Sequence, residues 1–554
     1  MDRIIDTPMT MKTNYQNLLS NFQAGTTTAI LLIPQSMAYA LVAGVPPVYG
    51  LYASLLPLVV YALLGRSREM ALGPGALDTL LIGVTIGSLS MASNPNAATV
   101  AAIIAFQVAI IQIVLGLLRG GFLINFLSKP VISGFTSAAA LTIAISQVKH
   151  LLGMDIDRSS RFYEEFWQLV THVEEIHLMT AMIGIGSLCF IAMAKRIKKS
   201  FPNALAVVIL AAIVGAILKV DQNQVSVLGA IPQGLPQFGF VWVTQELFVT
   251  LLPSSVAIAA VGYLTTISIA RTFADRNRYD IAPNRELIAL GASNFVASLS
   301  QGFPVSASFS RSAVHAEAGS TSPYSLVVVA AWIFFTLVFL TEYLYYLPTA
   351  TLAAIIILAV LGLIDFTLVR HLRKTKQSDM WLLLLTFFST LIVGIVEGIL
   401  IGVVFSLGLF LYLTTRPHTA ILGRVGNTAD FRNLKNYPEA TTYAGVIIIR
   451  IDAQFYFGNV SFLKTLLKKL EMESPSPLKT IIIEACSIAQ LDSSADSVLN
   501  DIADDFKERN IELKFASVKI PVLRVMKASG LYDKIEERNF FMNIDDAVQG
   551  ESSQ

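Results

Sequence analysis

Between Ala24 and Leu413 the chain returns repeatedly to apolar runs about as long as the hydrocarbon core of a bilayer is thick. A segment in lipid must satisfy its own backbone polar groups, so each such run is expected to be a helix. The candidate segments are 24–43, 46–64, 74–92, 98–118, 130–148, 178–195, 203–219, 247–271, 286–302, 307–319, 323–341, 347–363, 380–396 and 398–414. That is about fourteen by hydropathy, or about twelve if the two weakest, 74–92 and 307–319, are set aside. Composition agrees, with 54% of residues hydrophobic and 14% charged. The expectation is an α-helical polytopic membrane domain over residues 21–416. It follows a polar N-terminal stretch, 1–20, that has no apolar signal-peptide region.

Lysine and arginine orient the spans. With the N-terminus inside, the inner loops carry Arg66 and Arg68, Arg119 and Lys129, Lys195 to Lys199, the set Arg271, Arg276, Arg278 and Arg285, and the set Arg370, Arg373, Lys374 and Lys376. The outer loops carry Lys149, Arg158, Arg161 and Lys219 beside acidic residues such as Asp155, Glu164, Glu165, Glu174 and Glu175. The excess of cations on one side gives a cytoplasmic N-terminus. Everything after Arg416 is then cytoplasmic too. The expected location is the plasma membrane, the inner membrane of a bacterium, with lipid as a partner.

Past Arg416 the apolar runs stop. Residues 417–442 read as a linker, and from Tyr443 to about residue 550 strands alternate with helices. GVIIIRID, KTIIIEAC and IELKFASV read as strands; SFLKTLLKKLEM, LDSSADSVLNDIADDFKERN and PVLRVMKASGL read as helices. This is a small α/β domain. The two cysteines, Cys189 and Cys486, lie in different domains and make neither a disulfide framework nor a zinc site. The sequence contains no P-loop, HExxH or Cys/His cluster, so no ATP drive, metal, cofactor or enzymatic activity is expected. Nothing in it points to a nucleic acid.

The two weak segments carry the chemistry. ALGPGALDTLLIGVTIG begins with Gly73, Pro74 and Gly75, and GFPVSASFSRSAVHAEAG begins with Gly302 and Pro304. Neither start suits a continuous helix, so helices are expected to begin after Pro74 and near Ser308. These segments are third in each of two sets of seven, which points to two seven-span repeats with a broken third element. Paired interruptions of this kind mark a transporter's binding site. Two half-helices starting in mid-membrane offer free N–H groups and positive dipole ends, which suit an anion. Ser308, Ser310 and Ser312 could add hydroxyl donors. Arg311 adds a charge that costs at least ~2.5–3.5 kcal/mol at mid-membrane unless it is paired. The bland readings are that Arg311 lies near the cytoplasmic surface, or pairs with Glu317 or Asp78. His315, about one turn further on, reads as structural. In the first span Gln35 and Tyr39 lie four apart on one helix face beside Pro34, which suits either a site or a packing kink.

The run PQSMAYALVAGVPPVYGLYASLLPLVVYALLGRSREMALGPGA, with VGYLTTISIARTFADRNRYDIAPNRELIALGASNFVASL and SFSRSAVHAEAG, resembles the sulfate permease (SulP) family, called solute carrier family 26 in animals. The resemblance implies a fourteen-span fold of two inverted seven-span repeats, in which a core domain moves against a gate domain in an elevator-like fashion. It implies a secondary active transporter of small inorganic or carboxylic anions. Sulfate comes first; a bicarbonate, chloride or dicarboxylate exchanger, or an anion channel, is the alternative. Carried over by motif, Gln35 and Tyr39 line the anion site, Ala76, Leu77 and Asp78 begin span three, and Phe309, Ser310 and Arg311 begin span ten. Two departures bear on coupling. Thr265 stands where coupled members have an acidic residue, and Asp78 stands where the family has an apolar one. Asp78 is expected to fix core geometry as a salt bridge, or to serve as a displaced proton site. ACSIAQLDSSA resembles the STAS domain. That likeness implies a homodimer or a cytoplasmic regulator as partner and makes Ser494 a regulatory phosphorylation candidate, whereas Asp492 reads simply as a helix cap.

Overall fold

Every apolar segment expected to be helical is occupied by helix in a computed structural model of the chain. It describes residues 15–90, 96–122, 128–156, 162–197, 203–230, 232–239, 244–426, 428–474 and 476–550. Residues 1–14 and four of the orienting cations, Arg158, Arg161, Lys198 and Lys199, lie outside these. The chain divides into two compact units, Met1–Ser406 and Leu407–Gln554.

The first half of the helical unit runs α1 (Tyr15–Ala43), α2 (Pro47–Ala53), α3 (Leu56–Leu64), α4 (Ala76–Ser90), α5 (Ala97–Leu117), α6 (Lys129–Leu152), α7 (Phe162–Thr171), α8 (Leu178–Ile197) and α9 (Asn203–Leu218). The second runs α10 (Gln245–Asn277), α11 (Pro283–Leu299), α12 (Phe309–Glu317), α13 (Ser325–Phe335), α14 (Thr349–Leu361), α15 (Phe366–Thr375), α16 (Gln377–Ile392) and α17 (Ile395–Thr415). Among the described residues seven helical stretches are long and apolar enough to cross a membrane, and α4 is one of several shorter apolar helices. Leu32, Leu51, Tyr61, Leu81, Ile258 and Phe303 belong to one shared core cluster. Helix α1 continues through Pro34 and packs on α2, α4, α12 and α13. The approach of α2 is close: a Cβ on Gly50 would stand 2.0 Å from the Ser36 carbonyl oxygen.

Neither α4 nor α12 follows its predecessor directly. Each is preceded by a two-residue strand, β1 (Leu72–Gly73) and β2 (Ser306–Ala307), and the two strands pair antiparallel with Leu72 opposite Ala307 and Gly73 opposite Ser306. Gly73 has φ +148°, a conformation that a side chain would strain.

The second unit is a six-stranded sheet in the order β4-β3-β5-β6-β7-β8. Its strands are β3 (Thr419–Arg424), β4 (Phe431–Asn433), β5 (Val446–Ile451), β6 (Thr480–Glu484), β7 (Glu512–Ala516) and β8 (Phe540–Phe541). Strands β5 to β8 are parallel, and β3 runs antiparallel to both β4 and β5. The helices are α18 (Val460–Met472), α19 (Ser493–Glu508), α20 (Ile520–Ser529), α21 (Leu531–Ile535) and α22 (Ile544–Gln549). Ile449, Ile481, Ile483 and Phe515 belong to one core cluster, while Ile448 and Ile482 belong to a second with Ala420, Leu422 and Ala547. The unbroken isoleucine runs are thus buried on both faces, as in other parallel sheets. The stretch 417–442 is not a linker. It supplies β3 and β4, because Ala420 and Leu422 alternate onto the sheet's second core.

Candidate functional site

Paired antiparallel, β1 and β2 run in opposite directions, and each leads within three residues into a helix. Helices α4 and α12 therefore both begin at one crossing, with their N-termini close to the paired strands. The first three amides of an α-helix have no intrahelical acceptor. Among the described residues no side chain or loop carbonyl accepts from the amides of Ala76, Leu77 and Asp78, or of Phe309, Ser310 and Arg311. Helix bonding proper begins with Thr79 N donating to Gly75 O at 3.0 Å and Ser312 N to Ser308 O at 2.8 Å. Ser308, the N-cap of α12, makes no capping hydrogen bond. Six open amides and two positive dipole ends are thus gathered at one place.

Arg311 is fully buried and pins the crossing. Its Nε donates to Ala71 O at 3.3 Å, Nη1 to Gln35 Oε1 and to Pro74 O, each at 3.2 Å, and Nη2 to Ser306 O at 3.3 Å. Four of its five N–H groups are therefore spent on neutral oxygens, three of them backbone carbonyls in or beside the two strands and the fourth the Gln35 side chain. The guanidinium lies against Gly73, where a Cβ would come within 3.3 Å of Cζ. Arg311 is not at a surface, and among the described residues it makes no ion-pair contact with Asp78 or Glu317, although Asp78 lies close enough for the two charges to act on each other. Its charge is solvated by carbonyl dipoles and left uncancelled by direct contact with a carboxylate.

Gln35 joins the first span to this arrangement, accepting from Arg311 and donating from Nε2 to the Tyr39 hydroxyl at 3.1 Å. Asp78 is buried in the first turn of α4. It accepts from Ser306 Oγ through Oδ2, while Oδ1 has no hydrogen-bond partner. Gln35, Tyr39, Ala76, Leu77, Asp78 and Arg311 are thus assembled around the crossing. Phe309 and Ser310 stand exposed at the start of α12, with the Phe309 ring 6.1 Å from that of Phe273. His315 is a packing residue, with Nδ1 2.7 Å from Thr28 Oγ1 and Nε2 2.7 Å from Ser325 Oγ.

Two hydroxyls stand otherwise than the sequence suggests, and one supporting residue was not foreseen. The Thr265 hydroxyl donates to Val261 O and Gly262 O of its own helix. Its neighbour Thr266, fully buried, reaches the site instead by accepting from Ala307 N at 3.1 Å. Ser312 does not offer a hydroxyl at the mouth of the site. It is buried and accepts from Ala71 N at 3.0 Å. Asn294, not expected from the sequence, also supports the crossing: its Oδ1 accepts from Val305 N at 2.7 Å while its Nδ2 donates to Gln112 Oε1 at 2.9 Å. A buried amide inside an apolar span is the signal that could have found it.

In the sheet unit Asp492 caps α19, accepting from Ala495 N at 2.8 Å and also from Phe457 N at 2.9 Å. Ser493 and Ser494 are exposed on its first turn. Nearby, burial would push the Asp452 carboxyl up, but hydrogen bonds from Arg450, His418 and Ser487 outweigh it and hold the group below the usual carboxylate value.

Comparison with known proteins settles the family. The pattern of the Sulfate permease family matches residues 18–386, and that of the STAS domain matches residues 437–547. The chain belongs to the sulfate permease family. Among its relatives, Sulfate transporter 4.1, chloroplastic, of Arabidopsis thaliana is 36% identical over 96% of this chain and 79% of that one. A probable sulfate transporter of Mycobacterium tuberculosis is 32% identical over 95% of this chain and 94% of its own length. The fold is shared with the murine Solute Carrier 26 family member A9 anion transporter in its inward-facing state, at a TM-score of 0.89 and 24% identity over 97% of this chain and 92% of that one. The transmembrane domain of a cyanobacterium bicarbonate transporter matches more loosely, at a TM-score of 0.61 and 20% identity over 72% of this chain and 99% of that one. As a sulfate permease family member the chain is a multi-pass membrane transporter with a C-terminal STAS domain.

Proposed function

We propose that the protein is a secondary active transporter of small anions, sulfate foremost, and performs no covalent chemistry. The anion sits between the first-turn amides of α4 and α12, beside Gln35 and Tyr39, and Arg311 supplies positive potential from behind. The observation that carries this reading is the crossing itself: six amides that have no acceptor among the described residues, next to a buried guanidinium whose N–H groups go to neutral oxygens. The relatives named as sulfate transporters support the choice of substrate. In this reading the chain crosses a bacterial inner membrane about fourteen times as two inverted repeats. The core carries the anion past the gate in an elevator-like movement. The STAS domain faces the cytoplasm, supports a homodimer, and takes a regulator or a phosphate at Ser494, where the start of α19 favours added negative charge.

The test is uptake of labelled sulfate into proteoliposomes loaded with unlabelled sulfate, with Arg311→Lys alongside. Wild type accumulates label by exchange. Lysine keeps the charge but not the planar fork, so uptake falls by at least about tenfold. Labelled chloride or bicarbonate exchanging where sulfate does not would overturn the substrate assignment. Full activity in Arg311→Lys would overturn the pinning role.

A further inference from the structure

Helix α15 (Phe366–Thr375) joins α14 to α16, with four residues before it and one, Lys376, after it. Both neighbours are apolar membrane helices, so α15 is held within a few residues of the hydrocarbon at each end. Its own sequence, FTLVRHLRKT, is too short and too charged to span a bilayer. It is amphipathic instead. Leu372 is buried, Leu368 and Val369 are half-buried, and the helix packs on α16. Phe366, Arg370, Arg373 and Lys374 follow the spacing i, i+4, i+7, i+8, which puts them on one face, and all four are exposed.

The acidic residues nearby do not neutralise that face. Asp365 caps α15, accepting from the amides of Thr367 and Leu368 at 3.0 Å each. Asp379, on α16, pairs with Lys376 at 3.5 Å. Among the described residues Arg370, Arg373 and Lys374 make no ion pair. Two large aromatic side chains frame the same region. Phe366 is 67% exposed, and Trp381, in the second turn of α16, is 69% exposed. Tryptophan is a residue that anchors membrane helices at headgroup level. Unpaired cations beside exposed rings, on a short helix tethered between two spans, complement an acidic membrane surface. Phosphates meet the cations, and the boundary of the acyl chains meets the rings. A dissolved anion would use the cations and leave the rings uncovered.

We propose that the exposed face of α15 is a binding surface for acidic phospholipid, holding the α14–α16 end of the helical unit at the headgroup layer. Arg370, Arg373 and Lys374 take the headgroup phosphates, while Phe366 and Trp381 enter the layer beside the acyl chains. The proposal needs only a membrane-spanning chain and is independent of which anion is carried.

The test uses the full-length chain with Trp381 as its only tryptophan, after Trp167→Phe, Trp242→Phe and Trp332→Phe, reconstituted in vesicles. Quenching of Trp381 by brominated phosphatidylglycerol is compared with quenching by brominated phosphatidylcholine, which has no net charge. The acidic lipid is expected to bind this site at least about fivefold better, the factor that a single cation near the surface supplies. The ratio falls to about one in Arg370→Gln/Arg373→Gln/Lys374→Gln, and also in about 1 M salt, where the screening length is about 3 Å. Arg370→Lys/Arg373→Lys keeps the preference, because charge sets it. Equal quenching by the two lipids in the parent overturns the proposal, and so does a preference that survives in the triple glutamine variant. An acidic protein segment as the natural occupant gives the first of these results. In the unmodified chain, photoactivatable phosphatidylglycerol should label a peptide within residues 366–381. Labelling only elsewhere overturns the proposal with no tryptophan replaced.

Discussion

At the scale of single residues the site depends on what surrounds Arg311 more than on what it points at. Its N–H groups go to the carbonyls of Ala71, Pro74 and Ser306 and to Gln35. It therefore fixes the geometry of both strand exits while its charge still acts at a distance. Gly73 makes that packing available. At φ +148° a side chain strains the backbone, and a Cβ there meets Leu32 Cδ1 at 2.9 Å and the guanidinium at 3.3 Å. Gly73→Ala should cost about 1–3 kcal/mol through strain alone and abolish most uptake by displacing Arg311. Gly87, on α4, is the control, because a methyl added there meets nothing within 4 Å. Gly87→Ala should be neutral or slightly stabilising in the same melts and uptake assays.

At the scale of elements the sequence was most legible where periodicity and breakers speak. The apolar runs located the helices, and Gly73–Pro74–Gly75 and Gly302–Phe303–Pro304 located the two late starts. The two-residue strands between breaker and helix were not legible, because so short a ladder leaves no side-chain pattern. The choice between Thr265 and Thr266 was not either, since one residue turns a helix by about 100° and only packing decides which hydroxyl meets β2. In the sheet unit, β3 and β4 went unread because β4 is a three-residue edge strand and β3 buries only small or scattered residues such as Ala420 and Leu422. There Asp452 gathers Arg450, His418 and Ser487. Its carboxyl is held low in the folded state, so the stability it adds is complete above the ordinary carboxylate range and is lost as pH falls through the depressed folded value. Asp452→Asn should flatten the acid side of a plot of melting temperature against pH. An unchanged acid limb would show that this cluster contributes nothing to stability there.

The whole molecule divides into a helical unit and a sheet unit with its own core. The proposed anion site lies in the helical unit alone, at the one place where two helix starts meet across β1 and β2. The most direct measurement is a structure of the protein with selenate, a heavier analogue of sulfate. The account predicts density within hydrogen-bonding distance of the amides of Ala76 to Asp78 on one side and Phe309 to Arg311 on the other. Density elsewhere, as in the cleft lined by Ala230, Gln233, Thr341, Glu342, Tyr345 and Tyr346, with the crossing left empty, would contradict it.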